Sequence, residues 1–108
     1  MANLVIRQFD VFTNPGASTR SKVPYIVVLQ SHLFEALSTV VVAPLMRIGT
    51  PSSESKVLLE VEFGGEALVI DMALLANIEH RMLGRSRGSL AAHEDAIRRA
   101  LDRLFTGF

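Results

Sequence analysis

The sequence predicts one α+β domain, mainly β, in which strands come first and a single long helix comes last. Three observations predict it. β-branched and apolar runs of strand length fill the first two thirds, two of them flank a Gly-Gly turn, and a helix-period pattern occupies the end. Strands gathered ahead of one helix argue for an α+β or small-barrel domain rather than an alternating α/β sheet. With 108 residues the chain is read as one domain, residues 1–108, large enough for a single core.

The elements follow in order. Residues 4–12 carry Val5, Phe9, Val11 and Phe12 and read as a strand that breaks at Asn14-Pro15-Gly16, a strong turn signal. Residues 13–24 form a polar loop. Residues 25–30 are a β-branched strand, and residues 31–38 fit a helical turn with Leu33, Phe34 and Leu37 apolar. Residues 39–43 predict a strand that stops before Pro44, and residues 51–55 a loop. Residues 57–63 and 66–71 make a hairpin around Gly64-Gly65. Residues 72–83 fit a short helix as well as a last strand. The helix is expected over 89–105, with Leu90, Ile97, Ala100, Leu101, Leu104 and Phe105 on one face. Ser89 is its expected N-cap and Gly107 its left-handed stop. Glu94 and Asp95 precede Arg98 and Arg99 by four residues, the favourable order for ion pairs.

Composition narrows the function classes. The formal net charge is zero, which gives no global electrostatic case for nucleic acid or an acidic membrane. Cysteine is absent, so disulfides, thiolate catalysis and cysteine metal sites are excluded, and a cytoplasmic setting is expected. Arg7 and Asp10 interrupt the apolar N-terminal stretch, so no signal peptide is read, and no segment has the ~18 apolar residues of a membrane span. A hydrophobic share of 49% suits a chain that buries part of its surface in an oligomer.

Residues with catalytic chemistry are few. His32, His80 and His93 are scattered, and His93-Glu94 lacks the second histidine of a zinc-protease helix. Glu60 and Glu62 share one face of a strand and read as its solvated side. Gly64-Gly65 lacks the pattern of a phosphate loop. Arg81, Arg85 and Arg87 form a small basic cluster able to meet nucleic acid or a carboxylate-rich partner, with a solvated loop as the plainer reading. No catalytic residue, metal site or cofactor is expected. The sequence closes on Thr106-Gly107-Phe108, an apolar end where termini are usually polar. A binding surface is expected there, against the plainer reading that Phe108 folds back onto the core.

Four blocks, read in order, resemble the CcdB family of bacterial toxins. They are Gln8-Phe9-Asp10-Val11-Phe12; residues 25–45, where Gln30-Ser31 leads through Leu33-Phe34 to Val42-Ala43-Pro44-Leu45; the hairpin closing on Asp71-Met72-Ala73; and Glu94-Asp95-Ala96-Ile97 through Leu104-Phe105-Thr106-Gly107-Phe108. The resemblance implies a small SH3-like antiparallel β-barrel with a C-terminal α-helix, assembled as a cytoplasmic homodimer. It implies the toxin of a type II toxin–antitoxin system, a DNA gyrase inhibitor that binds the gyrase A subunit and traps the cleaved DNA complex. A cognate CcdA-like antitoxin would neutralise it, and the pair would act as a transcription repressor, so that DNA is met only through the antitoxin complex. By position, the implied gyrase-binding residues are Leu33, Phe34, Asp102, Phe105, Thr106, Gly107 and Phe108. Thr106 stands where the best-known members carry a Trp that stacks on the gyrase, and Phe108 where they carry Ile. Antitoxin contact is expected along the 13–24 loop and Arg81, Arg85 and Arg87. Two alternatives stay open. One is an mRNA endoribonuclease toxin of the related MazF and Kid branch, although no Arg stands near Val69-Ile70-Asp71, where that branch carries one. The other is a non-toxic domain that only binds an antitoxin or a like subunit.

Overall fold

Backbone hydrogen bonding sorts the apolar runs into one curled antiparallel sheet. The computed structural model describes residues 6–31, 38–49 and 57–107. Seven strands lie among them: β1 (Asp10–Thr13), β2 (Tyr25–Val28), β3 (Thr39–Arg47), β4 (Leu58–Phe63), β5 (Glu66–Asp71), β6 (Ala76–Glu79) and β7 (Gly88–Ser89), followed by helix α1 (Glu94–Thr106). The sheet order is β4-β5-β3-β2-β1-β7, with β6 also paired to β3. The mainly β, α+β architecture with a C-terminal helix is therefore as expected. The helical turn expected within 31–38 falls largely on residues 32–37, which lie outside the described residues, as does the loop expected at 51–55.

Several boundaries differ from the sequence reading, each for a physical reason. The first strand begins at Asp10, because residues 7–10 form a tight turn. There the Asp10 N–H donates to Arg7 O and the Arg7 N–H to Asp10 Oδ2, at 3.1 and 3.0 Å. Phe9 takes a left-handed φ of 72° at this turn, rare for a bulky residue, and is held there by its buried ring. The third strand does not stop before Pro44 but runs on to Arg47. The Leu29 N–H donates to Val41 O and the Arg47 N–H to Lys22 O, so odd-numbered β3 residues bond toward β2. Pro44 turns its nitrogen to the other edge. Along β3, pairing with β6 stops at Val42 and pairing with β5 begins at Leu45, so no ladder bond is lost. Residues 72–83 hold both candidate structures: strand β6 sits between the 3-10 turns Met72–Leu74 and His80–Met82.

The hairpin is as expected, with Phe63 paired to Glu66 around the Gly-Gly turn. The helix starts later than expected. Ser89 belongs to β7, and its hydroxyl accepts from the Ala91 N–H at 3.0 Å, introducing the 3-10 turn Ala91–His93 rather than α1 itself.

Both faces of the central strands are buried, which is why they read as continuous apolar runs rather than alternating ones. Val11, Val27, Ala43, Leu45 and Ile70 face Ile97 and Ala100 of α1. Phe12, Ile26, Val28, Val40 and Val42 face the other side, with Ile6 and Leu83. Burying Ile97 fully is worth about 1.5–3 kcal/mol and fixes the helix on the sheet.

The curl brings the two ends of the strand path together. Phe63, last in edge strand β4, stacks edge-on against Tyr25 with centroids 5.1 Å apart. A Cβ on Gly88, at the start of β7 on the opposite end, would lie 2.9 Å from the Phe63 ring. Gly88 also has a φ of 144°, so this seam tolerates neither a side chain nor an ordinary backbone.

Candidate functional site

The last turn of α1 gathers four of the expected site residues: Asp102, Phe105, Thr106 and Gly107, all exposed. Glu94 and Asp95 in the first turn and Arg103 in the last suit the helix dipole. Arg98 pairs with Glu94 at 3.0 Å and lies 6.0 Å from the centre of the Phe9 ring, tying α1 to the first turn of the chain.

Two hydrogen bonds close the end of the helix. The Thr106 hydroxyl donates to Asp102 O at 2.5 Å, and the Gly107 N–H donates to Arg103 O at 2.9 Å with Gly107 left-handed at φ 80°. Beside the exposed charges of Asp102 and Arg103, one large apolar side chain faces outward. Phe105, expected on the buried face, is instead 71% exposed. The helix buries Ile97 and Ala100, whereas Leu101 and Leu104 are only partly covered.

Phe105 and Leu101 form one wall of an open apolar groove of about 330 Å³, completed by Leu29, Gln30, Val41 and Leu75. Gln30 is the polar member, and its Oε1 accepts from the Val41 N–H at 3.3 Å. Sequence reasoning missed this groove because its walls come from β3, the β2–β3 connection, the residue after a 3-10 turn and α1. Only the helix members carried a periodic signal.

Leu33, Phe34 and Phe108 lie outside the described residues. Arg81, Arg85 and Arg87 are exposed but not equivalent. Arg81 pairs with Glu79 at 2.6 Å, whereas Arg85 and Arg87 flank Ser86 just before β7, where the Arg87 N–H donates to Val11 O. The 13–24 loop is held from within. The Asn14 amide donates to Thr19 Oγ1 and Val23 O at 2.9 Å each, and its carbonyl oxygen accepts from the Gly16 N–H at 2.9 Å.

The other blocks singled out in the sequence have structural work. Gln8 donates through Nε2 to Leu29 O at 2.9 Å. Asp71 is fully buried and caps the turn after β5, Oδ1 accepting from the Ala73 N–H at 3.1 Å. Glu60 and Glu62 lie exposed on β4. Among the described residues no three His, Cys, Asp or Glu side chains come together to hold a metal, and no helix is long and apolar enough to cross a membrane.

A family model described as CcdB protein matches residues 8–107, nearly the whole chain. No curated protein matches it. The chain belongs to the CcdB family, toxins of toxin–antitoxin systems.

Proposed function

We propose that this member of the CcdB family is a homodimeric cytoplasmic toxin that binds the DNA gyrase A subunit and traps the gyrase–DNA cleavage complex. A CcdA-like antitoxin neutralises it, and the two together repress transcription, so that DNA is met through the complex alone. The observation that carries this reading is the end of α1. Two hydrogen bonds close it, and beside exposed Asp102 and Arg103 it offers the 71% exposed ring of Phe105 to a partner. Exposed apolar area rimmed by polar residues is the signature of a binding surface. Asp102, Phe105, Thr106 and Gly107 are assigned to gyrase contact, with Leu33, Phe34 and Phe108 by their place in the family pattern.

The test is induction in hosts that differ only by a gyrase A mutation, scoring growth, DNA breaks and RNA cleavage. DNA breaks with growth arrest, both relieved by the gyrase mutation, are expected. RNA cleavage without gyrase dependence would replace this reading by the endoribonuclease one. Neither effect would leave a domain that only binds its antitoxin or a like subunit.

A symmetric target suits two copies of one end presented about a two-fold axis. Light scattering at micromolar concentration is expected to give the mass of a dimer, and a monomer would overturn that part of the reading.

Arg81, Arg85 and Arg87 are assigned to the antitoxin, an acidic flexible segment that orders as it binds. Replacing all three with Ser is expected to weaken antitoxin binding about tenfold or more and to flatten its salt dependence. Because Arg81 is shared with Glu79, most of the loss is expected from Arg85 and Arg87. Unchanged affinity in the triple variant would remove the loop from the interface.

A further inference from the structure

We infer that residues 84–89 form a strap that opens and closes as a unit while the rest of the sheet stays intact, with the Phe63 ring as its catch.

The strap is anchored at both ends and loose between them. Leu83 is buried with Phe12, Ile26 and Val28 on one face of the sheet, and Leu90 with Val11 and Ile97 on the other. The six residues between them cross the rim of the sheet and are all exposed. They bury no side chain, so opening gives up little apolar contact, and Gly84 and Gly88 leave the backbone free to swivel.

The backbone ties of the strap run to one neighbour. The Arg87 N–H donates to Val11 O at 2.7 Å, and Gly88 and Ser89 make the two-residue ladder of β7 on β1. The Ser86 hydroxyl accepts from the Gly88 N–H and donates to Gly88 O, at 3.3 and 3.2 Å, so both bonds travel with the strap. Bonds this exposed exchange readily for bonds to water.

Toward β4 the strap has no ladder among the described residues, and closure rests on shape. The Phe63 ring stands where a side chain at Gly88 would go, with Cε1 and Cζ 2.9 and 3.1 Å from that position. Tyr25 backs the ring edge-on. Arg85 and Arg87 ride on the strap and form no ion pair among the described residues. Closed, the strap presents them from a fixed line beside β1; open, it lets both swing clear of the sheet. The motion does not depend on what those arginines bind.

Hydrogen exchange of the free protein, read amide by amide by NMR, tests this. The Arg87 N–H reports the strap. The Phe9 N–H, bonded to Val28 O, reports whether β1 stays on β2, and the Leu29 N–H, bonded to Val41 O, reports the central ladder. Protection at Arg87 is expected to be at least about tenfold below that at Phe9 and Leu29. Phe63→Leu keeps apolar volume and loses the flat ring. Once a melt shows it folded, protection at Arg87 is expected to drop by about a further tenfold relative to Leu29, and trypsin to cut after Arg85 and Arg87 correspondingly faster. If Phe63→Leu does not melt cooperatively, Tyr25→Leu, which removes the ring behind Phe63, takes its place under the same readings. Equal protection at Arg87, Phe9 and Leu29 in the wild type would overturn the strap. A drop of the same size at all three amides in the variant, or none at Arg87, would overturn Phe63 as its catch.

Discussion

Deleting residues 106–108 is expected to leave the protein folded and to abolish gyrase-dependent DNA cleavage. The deletion removes exposed Thr106 and Gly107 and two helix-end hydrogen bonds, while the buried contacts of Ile97 and Ala100 are untouched. The stability loss is therefore of the order of a lost cap, about 1 kcal/mol. The effect on binding is far larger. Phe108 is lost, and a new carboxylate lands directly on Phe105, at the rim of an apolar groove. Losing a Phe side chain costs about 1.5–3 kcal/mol per copy. Two copies in a dimer amount to about two to four orders of magnitude in affinity. A cleavage assay with purified gyrase and a thermal melt measure the two quantities separately. Antitoxin binding is expected to survive. If the shortened protein stays folded and still traps cleaved DNA, the end of α1 is not the gyrase-binding surface.

Gly88→Val is expected to destabilise the fold by about 2–5 kcal/mol, through a strained backbone and an overpacked neighbour acting together. The φ of 144° is one that a β-branched residue cannot adopt comfortably, and the added carbon would meet the Phe63 ring at 2.9 Å. For a domain of this size the melting temperature is expected to fall on the order of 10–20 °C. Combining it with Phe63→Ala separates the two causes, because the smaller side chain removes the clash but not the backbone strain. Partial recovery in the double variant, seen as a non-additive cycle, is the expected result. A Gly88→Val protein melting within about 2 °C of the wild type would show that the seam between β4 and β7 is looser than the structure has it.

The elements legible in the sequence were those whose signal is local. The β4–β5 hairpin is announced by two glycines between apolar runs, and α1 by the spacing of Ile97, Ala100, Leu101 and Leu104. Boundaries fixed by distant partners were not legible. Pro44 is a strand terminator by its own chemistry. It is tolerated because β3 changes neighbours on one edge at that residue, a fact of topology rather than composition. Phe105 fitted the helix's apolar stripe by angle alone. Its exposure is set by tertiary packing, which covers Ile97 and Ala100 but leaves Phe105 open. Asp102, Phe105, Thr106 and Gly107 were expected from the order of the family blocks, whereas the groove that Leu29, Val41 and Leu75 share with the helix was not.

The Phe63–Gly88 seam has a consequence for the time order of synthesis. All partners of β3, β4 and β5 precede residue 80, so most of the sheet can form while the remaining chain is still within the ribosome. The meeting of β4 with β7 cannot happen until Gly88 has emerged, on the order of seconds after Phe63 at ordinary elongation rates. Throughout, β4 stays the edge of the ladder, and it carries Glu60 and Glu62 outward, charges that discourage strands of other nascent chains from adding to it. Helix α1, and with it the surface assigned to gyrase, is made after the seam residue. A polypeptide interrupted before residue 88 thus lacks both the seam and the helix that carries the proposed gyrase-binding surface.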